Sequence, residues 1–337
     1  MVDAAEPLLR IRDLHVEFTG FRGTAHVLNG VNLEVRRGEK VGLVGETGCG
    51  KSLTVKAVLG LLRGPHVRVR GEIWFAGGNL LADSRHELRD LRGRRIAMIF
   101  QDPMASLNPV FTVGDQLLEV VRRGPGQDGA PRSLSAVAAK EKALAILHEV
   151  ALPDPERIMQ TYPVQLSGGM RQRVLIAMAL VNHPDLIIAD EPGTALDVTI
   201  QEQILRLMRH LVEAKGISVL LITHNLGVVR ETTDRVYVMY AGSIAEEGRT
   251  ADLFRGPKHP YTQGLLASVP KLTGEGVPRG IDGMIPDYGA PPPGCRFAPR
   301  CAFAQPRCQL PPPWVTVGAG HQVACVLYDE EPVARSS

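Results

Sequence analysis

VGLVGETGCGKSL, residues 41–53, sets a glycine-rich turn between an apolar run and a helical pattern. Within it Gly45, Gly50, Lys51 and Ser52 stand at the spacing GxxxxGKS. Its glycines permit backbone angles that turn successive N–H groups toward one point. Those groups, together with the N-terminus of the following helix, bind phosphate oxygens. Lys51 is placed to reach the β- and γ-phosphates of a nucleotide, and Ser52 to ligate Mg2+. Glu46, Thr47, Gly48, Cys49 and Leu53 complete the loop as candidate ATP contacts. Cys49 fills a variable place and reads as a small, partly buried residue rather than a redox switch.

Outward from this loop, short apolar runs recur at Lys40–Gly45, Arg95–Phe100, Leu186–Asp190 and Ile217–Thr223. They have the unbroken Val/Ile/Leu character of parallel strands buried on both faces. Amphipathic stretches at Lys51–Leu62, Ala136–Val150, Gly168–Asn182 and Ile200–Ala214 lie between them, so the core is expected to be α/β. Leu9–Phe18 and Val31–Val35 alternate apolar and polar residues like half-exposed antiparallel strands, and Val236–Glu246 reads as a hairpin turning at Ala241-Gly242. Arg122–Ser135 is rich in Gly, Pro and charge and reads as a surface loop. Beyond about Pro257 periodicity fades, so a domain boundary is expected there. The chain has 337 residues, with 38 Lys plus Arg against 36 Asp plus Glu. That balance gives no electrostatic case for a nucleic-acid binder. No apolar run is long enough to cross a bilayer, and the start has no secretory signal, so a cytosolic chain is expected.

A second acidic and a second anion-binding pattern follow. LIIADEP, residues 186–192, ends an apolar strand in two carboxylates that alternation aims at different tasks. Asp190 suits the magnesium shell, and Glu191 the polarisation of an attacking water. LSGGMRQ, residues 166–172, runs Ser-Gly-Gly into a helix, another N-terminal anion site, with N-cap Ser167 as the plainer explanation. Two such sites about 120 residues apart exceed what one nucleotide needs. The economical reading is that Ser167 and Gly169 touch the γ-phosphate of a nucleotide held by a second subunit.

Residues 8–255 thereby resemble an ATP-binding cassette (ABC) ATPase. The resemblance implies a P-loop NTPase core of mixed sheet and helices, an antiparallel β subdomain, and a helical subdomain over about 102–170. The ATPase domain would span 6–256. The resemblance makes Phe18 (with Phe21 as rival) the aromatic that stacks on adenine, and Gln101 in IFQDP the sensor of magnesium and γ-phosphate. Ser167, Gly168, Gly169 and Gln172 become the signature that meets the partner's ATP. Asp197 in TALD becomes the interface aspartate, and His224 in LLITHN the γ-phosphate histidine beside the catalytic Glu191. Two departures are visible: Gly193 where relatives carry Thr, and Asn225 where Asp is common. Neither removes a group with a chemical role, so a competent ATPase is expected.

IFQDPMASLNP (99–109), HPYTQGLLASVP (259–270) and GCRFAPRCAFAQPRC (294–308) are similar to the dipeptide/oligopeptide and nickel importer ATPases, including their C-terminal extension. This implies an ATP-hydrolysing subunit powering uptake of peptides, or alternatively nickel chelates or another small solute. It would sit peripherally on the cytoplasmic face of the membrane. Its implied partners are a homologous second ATPase, two permeases and an extracytoplasmic solute-binding protein, with no nucleic acid. A soluble ABC ATPase acting on DNA or ribosomes is the remote alternative. It would need a coiled-coil insertion, paired cassettes or a basic surface, and none is present. Met104, Leu107 and Phe111 are candidate permease contacts.

Cys295, Cys301, Cys308 and Cys325 follow the spacing C-x5-C-x6-C-x16-C, which matches neither a zinc ribbon nor the common ferredoxin run. Four thiols in so small and Pro-rich an extension, residues 257–337, invite a metal staple. The resemblance implies a [4Fe–4S] cluster, with Zn2+ as the rival. His321 could ligate zinc, but it reads rather as a surface residue.

Overall fold

The computed structural model describes residues 6–21, 23–82, 85–124, 134–193, 196–269 and 280–329. Most of the surface loop expected at 122–135, and Thr194 and Ala195 of TALD, lie outside them. The chain divides into two compact units, each built from separated segments.

One unit comprises Met1–Leu8, Val35–Lys40 and Phe75–Thr223. Its parallel strands Ile96–Ile99, Leu186–Asp190 and Ser218–Ile222 lie side by side, with Ile96 paired to Leu186 and Leu186 to Ser218. Every residue of the latter two strands is buried, as their unbroken apolar character requires. Helices Pro103–Ser106, Val113–Arg122, Ala136–Glu149, Pro155–Met159 and Gly168–Leu180 fill the interval between the first two strands. The long helix Val198–Lys215 precedes the third. Among the described residues, no helix is long and apolar enough to cross a membrane.

The other unit comprises Leu9–Glu34, Val41–Trp74 and His224–Ser337. Strands Gly23–Val35, Leu9–Gly20 and Val67–Phe75 form one sheet in that order. In a second sheet Lys40–Val44 runs parallel to Arg235–Tyr240, which pairs antiparallel with Ser243–Arg249. The hairpin turns where expected: Ala241 and Gly242 both have positive φ, 43° and 81°. Two positive-φ residues match the twist of the flanking strands. A Cβ at Gly242 would lie 1.6 Å from the Val27 carbonyl oxygen, so only glycine fits.

The extension after Pro257 lies within this unit. Its strands His321–Ala324 and Trp314–Gly318 continue the second sheet, with Glu246 paired to Val323 and Val323 to Val315. Its core is shared as well. Phe297 packs edge-on to Tyr240 at 5.0 Å between ring centroids, and Tyr261 lies 4.6 Å from Tyr240. Val44, Val238 and Leu253 close the same cluster. A segment too poor in apolar residues for its own core thus borrows one by extending a sheet edge.

Candidate functional site

The phosphate loop leaves the strand Lys40–Val44, buried from Val41 onward, and enters the helix Lys51–Val58. Gly45 has φ 152°, and a Cβ there would meet the Met239 carbonyl oxygen at 2.1 Å. Gly48 and Gly50 also have positive φ. The helix N-cap is Gly50, and no side chain caps it, which leaves the first-turn N–H groups to an incoming anion. Lys51 is buried at the centre of the loop. Its Nζ donates to the carbonyl oxygens of Gly45 (2.7 Å) and Glu46 (3.0 Å). Cys49 is fully buried, and burial pushes its thiol pKa up, as suits packing rather than redox chemistry. Sequence reasoning missed Tyr261, whose hydroxyl accepts the Glu46 N–H at 2.8 Å. In the same unit Phe18 is half-buried on its strand, while Phe21 is fully exposed in the following turn. His224 is exposed two residues beyond the strand Ser218–Ile222. Asn225 caps the next helix, accepting from the N–H groups of Gly227 (3.0 Å) and Val228 (3.3 Å). The Asn-for-Asp departure therefore keeps a capping oxygen.

In the other unit Asp190 is buried at its strand end and Glu191 follows at φ 50°. A left-handed non-glycine backbone is costly and concentrates at functional sites. The Glu191 N–H is fixed by the Ile222 carbonyl at 2.7 Å. Its Oε2 accepts from Gln101 Nε2 at 3.0 Å, so the expected sensor and base touch directly. Gly193 has φ 105°, where Thr would be strained, which accounts for that departure.

Ser167 is exposed and caps the helix Gly168–Leu180 through the Met170 N–H (3.3 Å). A Cβ at Gly168 or Gly169 would press on Leu196 (2.9 Å) or Ile200 (2.8 Å). Asp197 is exposed and caps its own helix through the Ile200 N–H (3.0 Å). Gln172 departs from expectation. It is 0% exposed with both side-chain polar atoms unpartnered, so its amide does not reach a surface where a second subunit's nucleotide could meet it. Leu107 departs too. It is 2% exposed, whereas Met104 and Phe111 project outward with Phe100 and Val110. Leu107 therefore serves the local core and the other two remain available.

The four cysteines of the extension line one cavity with His259, Phe297, Phe303, Pro312 and Leu327. Burial raises the thiol pKa values of Cys295, Cys301 and Cys325, the last to about 11, and neighbouring thiols add to this. Four thiols with apolar walls and no carboxylate suit the donor chemistry of a four-thiolate group. Among the described residues, however, no three His, Cys, Asp or Glu side chains are gathered closely enough to enclose a single metal ion. His321 is not a surface residue. It is buried, and its Nε2 lies 2.7 Å from the buried Glu246 Oε1. Glu246 also accepts the N–H groups of Lys258 and His259, at 2.7 and 2.8 Å. Burial lowers the His259 pKa to about 4, so its neutral Nδ1 accepts the Tyr261 N–H at 3.0 Å.

The comparisons with known proteins accord with this geometry. The ABC transporter family matches residues 28–194, and the oligopeptide/dipeptide transporter C-terminal region matches 245–308. The dipeptide transport ATP-binding protein DppD of Bacillus subtilis is 47% identical over 328 residues, 96% of each chain. The chain belongs to the ABC transporter ATP-binding proteins. The probable D,D-dipeptide transport ATP-binding protein DdpD of Escherichia coli is 45% identical over 97% of this chain and 98% of its own. Among solved structures, the ATP-binding cassette MJ0796, a dimer in a post-hydrolysis state with ADP and Pi, is 27% identical with TM-score 0.62. It covers 72% of this chain and 98% of its own. As an ABC ATPase the chain binds and hydrolyses ATP, with Mg2+ the expected ion.

Proposed function

We propose that this ABC ATPase energises the import of peptides through membrane permeases. The bond from Gln101 to Glu191 is the observation that carries this reading. It ties the segment bearing exposed Phe100, Met104, Val110 and Phe111 to the carboxylate that follows Asp190. An apolar patch that begins one residue from the sensor is where a permease helix would push. The matches at 28–194 and 245–308 support a division of labour between an ATPase domain at 6–256 and an extension at 257–337. The peptide cargo is inferred from the dipeptide transport of the relative DppD and the probable D,D-dipeptide transport of DdpD.

In this reading Lys51 and the loop N–H groups hold the phosphates, and Ser52 and Asp190 serve Mg2+. Phe18 stacks on adenine. Gln101 holds Glu191 as the base that activates water, and His224 contacts the γ-phosphate. Exposed Ser167, with Gly168 and Gly169, meets the nucleotide of a homologous second ATPase, and Asp197 lies at that interface. Two permeases and an extracytoplasmic solute-binding protein complete the importer, and the chain sits peripherally on the cytoplasmic face of the membrane. Reconstituted with its neighbouring-gene permeases in vesicles, the wild-type chain should drive ATP-dependent uptake of a labelled dipeptide. Uptake of a nickel chelate but no peptide would instead assign the other solute class.

The four cysteines are proposed to hold a [4Fe–4S] cluster that stiffens the extension, because all four line one cavity. Anaerobically purified protein should contain about four irons per chain and show broad visible absorption. Colourless protein with one zinc would assign the rival.

A further inference from the structure

Two side chains of the extension end on the phosphate loop. The Arg300 guanidinium forks Glu46, Nη1 donating to Oε2 at 2.8 Å and Nη2 to Oε1 at 3.1 Å. Its remaining donors reach the carbonyls of Asp282 and Ile281, each at 2.8 Å, and the Tyr240 hydroxyl at 3.3 Å. The arginine side chain is 6% exposed. A bidentate pair this well shielded and this fully bonded is among the stronger polar contacts. The Tyr288 hydroxyl donates to the Gly48 carbonyl at 2.7 Å.

Glu46 occupies one of the free places of GxxxxGKS, so phosphate chemistry does not ask for a carboxylate there. A negative charge on a loop built to face an anion repels that anion unless it is neutralised. Arg300 supplies the neutralising charge. Across a trans peptide the carbonyl and the next N–H point in opposite directions. By holding the Gly48 carbonyl, Tyr288 braces the peptide whose N–H, on Cys49, donates to the Glu46 carbonyl at 3.2 Å, and so steadies the turn that shapes the loop. Neither residue belongs to the loop, and both come from the segment that carries the cysteines.

We infer that Arg300 and Tyr288 are positioning residues for the ATP phosphates: the extension fastens the phosphate loop, cancels the charge of Glu46 and so sets nucleotide affinity. Mg-ATP binding to the full chain, measured by calorimetry, tests this. Arg300→Met should weaken ATP about tenfold, because it leaves the part-exposed Glu46 carboxylate unpaired on the phosphate loop, and Tyr288→Phe about threefold. Combining Glu46→Gln with Arg300→Met should bring affinity back to within about twofold of wild type, because the unpaired charge is gone. Arg307→Met is the control. It breaks the Arg307–Asp329 pair beside Cys308 without touching the loop, and should leave ATP affinity unchanged. Metal content is measured alongside in every variant. Wild-type affinity in Arg300→Met, equal weakening in Arg307→Met, or no recovery in the double variant would each overturn the inference. Should Arg300→Met fail to fold, Tyr288→Phe, which deletes one hydroxyl, reads the extension's other contact with the loop, and unchanged ATP affinity there would overturn the inference.

Discussion

Glu191, Gly193 and Asn225 show how single residues carry the chemistry and its tolerances. Glu191 departs from strand geometry at once, and its φ of 50° turns the carboxylate toward Gln101. Gly193, at φ 105°, allows the chain to continue from there. Gly193→Ala should therefore cost about 1 kcal/mol or more in denaturant unfolding. An unchanged midpoint would show that the loop adapts. Asn225→Ala should lose about 1 kcal/mol through the missing cap, while Asn225→Asp stays at or slightly above wild type, since a carboxylate also caps and favours the helix dipole. Equal midpoints for both variants would contradict the capping assignment. The turn of the phosphate loop was legible because the spacing GxxxxGKS asks for permissive backbone at Gly45 and Gly50, and both have positive φ. The burial of Gln172 was not legible. Its place in LSGGMRQ suggested an exposed contact, but the even side-chain sequence of that helix hides which face is covered.

At the level of elements, strands were the most readable feature. Leu186–Asp190 has the bounds that its apolar run proposes. The helix Val113–Arg122 went unread, although its signal was present. Thr112 accepts from the Asp115 N–H while Asp115 accepts from the Thr112 N–H, a reciprocal cap spelled in the sequence as T-V-G-D. The docking of the extension was not legible, because the Glu246–His321 contact joins residues 75 apart and no local pattern encodes such a pairing. Two outcomes follow at this scale. Deleting residues 257–337 strips Tyr261 and Phe297 from Tyr240 and uncovers the Ser243–Arg249 edge. The truncated chain should aggregate on size-exclusion chromatography. A monodisperse peak with unchanged melting would contradict the shared core. Gln172→Met replaces an unpartnered buried amide by an apolar group of similar volume, so unfolding should show equal or higher stability. A loss above about 1 kcal/mol would mean that the amide is satisfied in the folded protein.

For the molecule as a whole, near-neutral charge, the phosphate loop and the signature together were enough to read an ABC ATPase, and relatives across nearly the full length agree. Cargo was legible only as branch resemblance, carried by stretches such as HPYTQGLLASVP, and the match to the oligopeptide/dipeptide transporter C-terminal region over 245–308 agrees with that branch. The central claim is that the chain hydrolyses ATP with Glu191 activating the water. Single-turnover hydrolysis of radiolabelled Mg-ATP by full-length Glu191→Gln, with retained nucleotide counted on filters, tests it most directly. The account expects ATP to stay bound while hydrolysis falls at least about a hundredfold, the contribution typical of a general base. Hydrolysis near the wild-type rate would contradict it.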